Sequence, residues 1–179
     1  MGTGWTMRQA DAGDISAIRL LMDRAIGALM NDFLSPEQVA ASREVMGLDT
    51  QLIEDGTYFA VVEAERLIGC GGWSRRATLF GGDHSAGRDA ALLDPSRDPA
   101  RVRAMYTDPD HVRRGIGRAI LVACEAAAAA EGFRTAELAA TLAGVPLYEA
   151  AGYRPIEPFE ADTSGGVRVP LVRMGKALG

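Results

Sequence analysis

The residues with the most chemical content run Tyr106-Thr107-Asp108-Pro109-Asp110-His111-Val112-Arg113-Arg114-Gly115-Ile116-Gly117-Arg118-Ala119-Ile120. An apolar, strand-like segment enters a proline-bearing turn, passes two glycines set among arginines, and continues into an alanine-rich helix. Glycine lets backbone N–H groups approach a ligand closely, and a helix N-terminus presents unsatisfied donors at the positive end of its dipole. Arg113, Arg114 and Arg118 add positive charge. The stretch therefore reads as a pyrophosphate cradle. A dinucleotide fingerprint fits worse, because it needs a third small residue where Ile120 stands and a strand ending directly at the first glycine. Asp108 to His111 intervene here. No Gly-Lys-Ser/Thr follows a glycine loop, which excludes a P-loop.

A second candidate is Tyr148, in Leu147-Tyr148-Glu149-Ala150-Ala151-Gly152-Tyr153. A phenol can protonate a departing anion. Equally, its ring can pack between helix and sheet with the hydroxyl satisfied locally; the residues alone leave both readings open. Tyr153 reads as a strand-start aromatic. Trp73 reads as core or as the wall of a substrate pocket. Cys70 and Cys124 sit in apolar surroundings and read as small buried hydrophobes. Neither has a visible histidine partner, which argues against a covalent intermediate. His84 and His111 lie in loops, and His111 reads as an exposed turn histidine. No Cys/His spacing resembles a zinc site, so no metal is expected.

Those residues need elements to hold them. Trp5 to Arg8 reads as a first short strand. A helix starts near Asp14, with Asp11 or Asp14 as cap and Ile15, Ile18, Leu21, Met22, Ile26 and Leu29 at helical spacing. Ser35-Pro36 opens a second helix that fades near Gly47. Thr57 to Ala64 and Leu67 to Trp73 read as antiparallel strands around a turn at Glu65-Arg66. Three glycines in the second of these allow a bulge or a close approach. Arg76 to Ala100 shows little periodicity and reads as a long loop or partly ordered insertion. Its Arg88, with Arg75 and Arg76, could bind an acceptor carboxylate or be solvated. Val102 to Thr107 is a strand, and Gly115 to Glu131 a helix stopped by Gly132. Thr135 to Ala140, a helix Val145 to Ala151, and strands Tyr153 to Ile156 and Val167 to Met174 complete an α/β domain with a mixed sheet.

In this order of elements, and above all in Met105-Tyr106-Thr107, Arg113-Arg114-Gly115-Ile116-Gly117-Arg118 and Leu147 to Tyr153, the chain resembles the GCN5-related N-acetyltransferase (GNAT) family. The first hundred residues match in order more than in sequence. The resemblance implies an α/β fold with a mixed, mostly antiparallel central sheet flanked by helices. It implies acetyl-CoA as cosubstrate and no metal. Val112, Arg113, Arg114, Gly115, Ile116, Gly117 and Arg118 would hold its pyrophosphate, and the backbone of Met105, Tyr106 and Thr107 would line its pantetheine arm. Tyr148 would be the catalytic acid. There are two departures. Val112 stands where the family has Gln or Arg, and Thr141 where it often has Asn. The implied reaction is transfer of acetyl to a primary amine of a small molecule or peptide by direct attack in a ternary complex. Glu54, Asp55, Asp83, His84 or water would take the amine's proton. A non-catalytic acyl-CoA-binding or protein-interaction module of the same fold is the alternative.

At 179 residues the chain reads as a single domain, 1–179, with a real core. A net charge of −5 argues against general nucleic-acid binding, so no nucleic-acid partner is expected. No apolar run spans a bilayer and no leader pattern opens the chain, so no membrane partner and a cytoplasmic location are expected. A homodimer through the last strands is compatible with the sequence, which does not show it.

Overall fold

A computed structural model of the protein describes residues 2 and 4–179. One seven-stranded sheet organises it. β1 (Thr6–Gln9), β2 (Tyr58–Glu63), β3 (Arg66–Ser74), β4 (Ala100–Thr107), β5 (Thr135–Thr141), β6 (Arg154–Ala161) and β7 (Val169–Ala177) lie in the order β1-β2-β3-β4-β5-β7-β6. Every neighbouring pair is antiparallel except β4 and β5. The helices are α1 (Ile15–Leu29), α2 (Pro36–Val45), a short α3 (Gln51–Glu54), α4 (Ile116–Ala130) and α5 (Val145–Ala150).

The sequence signals for the helix starts have physical counterparts. Asp11 caps a 3-10 turn over Ala12–Asp14, with the Asp14 side chain reciprocating, and α1 follows at once. Ser35 and Gln38 form a capping box on α2, with Pro36 in its first turn. α1 and α2 pack on one face of the sheet through Ile18, Leu21, Met22 and Ile26 with Tyr58, Ala60, Cys70 and Tyr106. α4 covers the other face through Ile116, Ile120 and Cys124, over Val61 and Ile68. Gly69 and Gly71 of β3 face α4, where side chains would collide with Ile116, Ile120 and Met105. Their lack of Cβ is what lets the helix lie close on the sheet.

Three details differ from the sequence reading. The hairpin turn falls at Ala64-Glu65, both at positive φ, and Arg66 already belongs to β3. β6 runs on to Ala161 because it pairs with β7 from Arg154–Gly175 to Ala161–Val169, and β7 runs past Met174 to Ala177, where it pairs with β5. The 76–99 segment is ordered. Its two arms bond to each other at Ala77–Ala91, Thr78–Asp89 and Leu93–Arg75. Arg76 is tied to Asp55 at 2.8 and 2.9 Å, and Arg88 pairs with Asp49. No helix among the described residues is long and apolar enough to cross a membrane.

Candidate functional site

β4 and β5 start together and then part. Their ladder holds only at Ala100–Ala136 and Arg101–Glu137. Glu137 is gripped there by Arg101 at 3.0 Å and Arg173 at 2.6 Å, which pins the join. Beyond it, Val102 to Thr107 has no strand on its β5 side, while β5 continues with β7. The result is a V-shaped notch through the middle of the sheet.

A bulge shapes the β4 side of the notch. The β3–β4 register slips between Cys70 and Gly72, and Ala104 takes φ 51°. A left-handed alanine costs on the order of 1–2 kcal/mol, so something must hold it. The Tyr58 hydroxyl, reaching across from β2, donates to the Ala104 carbonyl at 2.6 Å. Burial pushes the Tyr58 phenol well above its usual pKa, so it stays a donor.

At the end of β4 the chain turns sharply. Asp108 caps a 3-10 turn over Pro109–His111, accepting from the Asp110 amide at 2.9 Å. Its carboxylate is fully buried, and Arg24 of α1 and Arg66 of β3 reach it at 2.7 and 2.9 Å. Burial alone would raise its pKa. The Asp110 amide, Arg24 and His111 outweigh that and hold it at about 2. His111 is not an exposed turn residue. It is wedged between Asp108 and Glu63, with its ring nitrogens 3.4 and 3.5 Å from their carboxylates.

Val112 is then extended and exposed, Arg113 has φ 62° and Gly115 has φ 78°. α4 follows with no side chain capping it. Its first amides therefore face the notch unclaimed by a cap, at the positive end of the helix dipole. A Cβ built at Gly115 meets nothing within 4 Å, so the space above it is open. At Gly117 a Cβ would press on Leu147 of α5 at 3.0 Å, which brings that helix against the loop. Arg113 and Arg118 are exposed beside these amides. Donors, dipole and two cations around an open space suit a pyrophosphate.

α5 carries Tyr148. Its ring packs edge-on against Tyr153, centroids 5.9 Å apart, and is buried. Burial drives its pKa up, and its hydroxyl takes no described residue as hydrogen-bond partner. The locally satisfied tyrosine of the packing alternative is thus not what the structure has.

The notch opens into a cleft of about 850 Å³. Of the residues expected to bind the donor or act as catalytic acid, all but Arg114 line it. Arg114 is held by Glu63 at 2.7 and 3.1 Å. Trp73 does not line the cleft: it is core, edge-on to Phe133 with Arg75 over its ring. Cys70 does line it, but burial lifts the thiol to about 12, so it is not a nucleophile at neutral pH. Glu54, Asp55, Asp83 and His84 do not line it. Asp55 is committed to Arg76, Asp83 to the backbone and hydroxyl of Thr50, and His84 to the Arg43 carbonyl at 2.7 Å. Asp32, in the α1–α2 link, is the one carboxylate among the lining residues. Among the described residues no three His, Cys, Asp or Glu side chains are grouped to hold a metal ion.

Sequence reasoning passed over Asp108, Arg24 and Tyr58. Asp108-Pro109 is a cap-plus-proline signal that could have been read. Nothing in the sequence joins Arg24 to Asp108 or Tyr58 to Ala104.

A family described as acetyltransferase (GNAT) domain matches residues 54–155. No curated protein matches the sequence. Among solved structures, a GCN5-related N-acetyltransferase from Rhodopseudomonas palustris superposes with a TM-score of 0.71 at 17% identity, covering 97% of this chain and 95% of that one. The PaiA N-acetyltransferase from Thermoplasma acidophilum, in complex with coenzyme A, gives 0.65 at 13% identity, with 99% of both chains covered. YncA from Salmonella typhimurium, a putative acetyltransferase solved with its cofactor acetyl-CoA, gives 0.63 at 19% identity, covering 98% and 95%.

Proposed function

The chain belongs to the GNAT family of acetyltransferases, and from that premise we propose that it is a single-domain N-acetyltransferase that moves acetyl from acetyl-CoA to a primary amine by direct attack in a ternary complex. The observation that carries this reading is the continuity of the notch. It leads from the uncapped start of α4 on one face of the sheet to a cavity under α1 and α2 on the other. A donor can enter by one face and an acceptor by the other, and they meet where β4 and β5 part.

The parts then have roles. The amides from Val112 to Arg118, with the Arg113 and Arg118 side chains, bind the pyrophosphate. The free side of Met105 to Thr107 pairs with the pantetheine arm, as a strand would. A backbone N–H on that edge, oriented by the Ala104 bulge, stabilises charge on the thioester oxygen as it develops. The amine nitrogen attacks the carbonyl carbon and the carbon–sulfur bond breaks. Tyr148 gives its proton to the leaving sulfur and recovers one from solvent. The amine's surplus proton leaves through the cleft toward Asp32 and water. The raised thiol pKa of Cys70 supports a route without an acyl-enzyme.

The test begins with thermal stabilisation by acetyl-CoA beside NAD, ATP and desulfo-CoA. Ligand at 100 times its dissociation constant adds about 2.7 kcal/mol to a protein it binds only when folded. A selective rise with acetyl-CoA, followed by amine-dependent thiol release, is the expected result. A rise with NAD alone, or none, would refute the donor assignment.

A further inference from the structure

The acceptor end of the cleft has a composition of its own. On the α1–α2 side the sheet is met by Met30 at the end of α1, Phe33 in the link, Met46 at the end of α2, Phe80 from the 76–99 segment and Leu171 of β7. Phe80 is steadied by Phe159 of β6, ring centroids 5.7 Å apart. Phe33 is half exposed although it lines a concave surface, as is expected of a wall that a ligand completes. The only ionisable side chain in this wall is Asp32, at the same link as Phe33.

The nearby cations are already spent. Arg103 lies on the cleft floor but is buried, and its guanidinium bonds to Asp49 at 3.2 Å and to the Gly81 carbonyl at 2.6 Å. Arg88 and Arg76 are held by Asp49 and Asp55. A carboxylate or phosphate on the acceptor would enter this end without a partner, and an unpaired charge in an apolar site is strongly disfavoured. A polyamine would place a second ammonium against methionine and phenylalanine, with the same penalty. A flat or branched hydrocarbon body would instead replace water along the whole wall, and the thioether and aromatic groups adapt to such shapes. Asp32 would draw in the one ammonium that every acceptor must carry.

We infer that the acceptor is a primary amine on an uncharged apolar body of aromatic size, an arylalkylamine in chemical class, bound between Phe33 and Phe80. The inference rests on the acetyl-CoA-dependent reading above. The experiment compares thiol release from acetyl-CoA with 2-phenylethylamine, L-phenylalanine, spermidine and a lysine-bearing peptide. The same panel is run on Phe33→Ala, whose exposed position makes it safe for folding, and on Phe80→Ala. The expected result is a kcat/KM for 2-phenylethylamine at least about 100-fold above that for phenylalanine or spermidine, in line with what burying an unpaired polar or charged group costs a binding site. Phe33→Ala should raise the arylalkylamine KM roughly 10-fold and leave the acetyl-CoA thermal shift unchanged. Preference for phenylalanine, spermidine or the peptide overturns the inference and leaves the acetyltransferase reading standing. So does acetyl-CoA binding with no turnover of any amine in the panel. Faster turnover with octanoyl-CoA than acetyl-CoA, whatever the amine, also overturns it, by assigning the apolar wall to the acyl chain. Absence of acetyl-CoA binding is a different failure and removes the donor reading itself.

Discussion

Tyr148 keeps its proton because its surroundings offer the phenolate nothing. Burial is the main cause of its raised pKa, and no hydrogen bond to a described residue offsets it. Its ionisation therefore lies above pH 10, and it imposes no descending limb on the rate below that. The rate should instead rise with pH while the amine, with a pKa near 10.4 for an alkylammonium, loses its proton. Tyr148→Phe should lower kcat roughly 100-fold at every pH, with acetyl-CoA affinity little changed. A kcat left unchanged at every pH in that variant would remove the acid role. Asp108 has the opposite sign. Its folded pKa of about 2 lies below the ordinary carboxylate value near 3.9, so its contribution is present above pH 4 and is lost as pH falls through 2. That contribution is roughly 2 kcal/mol. Asp108→Asn should flatten the stability curve between pH 4 and pH 2 and lower the melting temperature at pH 7, as read by calorimetry across that range. The contrast in legibility is instructive. Arg113 to Arg118 could be read because all its parts are local in sequence. The arginine that fixes Asp108 comes from α1, and no spacing rule connects residues that far apart.

At the scale of elements, the start of α4 is where sequence and structure agree most closely. The two glycines, the flanking arginines and the alanine-rich helix each carry a local preference, and all point one way. Gly115→Ala tests it. The positive φ makes alanine strained by roughly 1–2 kcal/mol, while the open space around Gly115 rules out a clash within the protein. The melting temperature should fall by about 2–8 °C. The dissociation constant for acetyl-CoA should rise at least about 10-fold, because the new methyl stands in the anion's space. Loss of stability without loss of affinity would show that the ligand lies elsewhere. The 76–99 segment is the opposite case. Its order comes from Arg76–Asp55, Arg88–Asp49 and backbone bonds between its arms. None of these leaves a periodic signal, so a sequence rich in Gly, Asp and Ser reads as a loop. The bulge at Ala104 was equally invisible, since alanine gives no hint of a left-handed conformation.

At the scale of the molecule, one sheet carries apolar clusters on both faces, and we expect the chain to unfold as one unit. Trp5 lies before the edge strand β1, and Trp73 lies in β3 against α4. Their fluorescence and the far-UV circular dichroism should trace a single transition with one midpoint, and acetyl-CoA should raise that midpoint as a whole. Two separated transitions would divide the chain into independent units. The mixed sheet and the order of its elements were readable from alternation and turn residues. The parting of β4 and β5 leaves no signal in the sequence, because a strand that lacks a neighbour has the same residues as one that has it.

That parting has a mechanical consequence. The sheet is two leaves, β1-β2-β3-β4 and β5-β7-β6, clasped at one end by two residue pairs and the Arg101–Glu137–Arg173 knot. The shape is that of tweezers, with Thr107 and Thr141 at the tips. Whatever lies between the tips acts as a splint. A bound donor is then expected to slow amide hydrogen exchange along Val102 to Thr107 and Leu138 to Thr141, and equal exchange with and without acetyl-CoA would refute this.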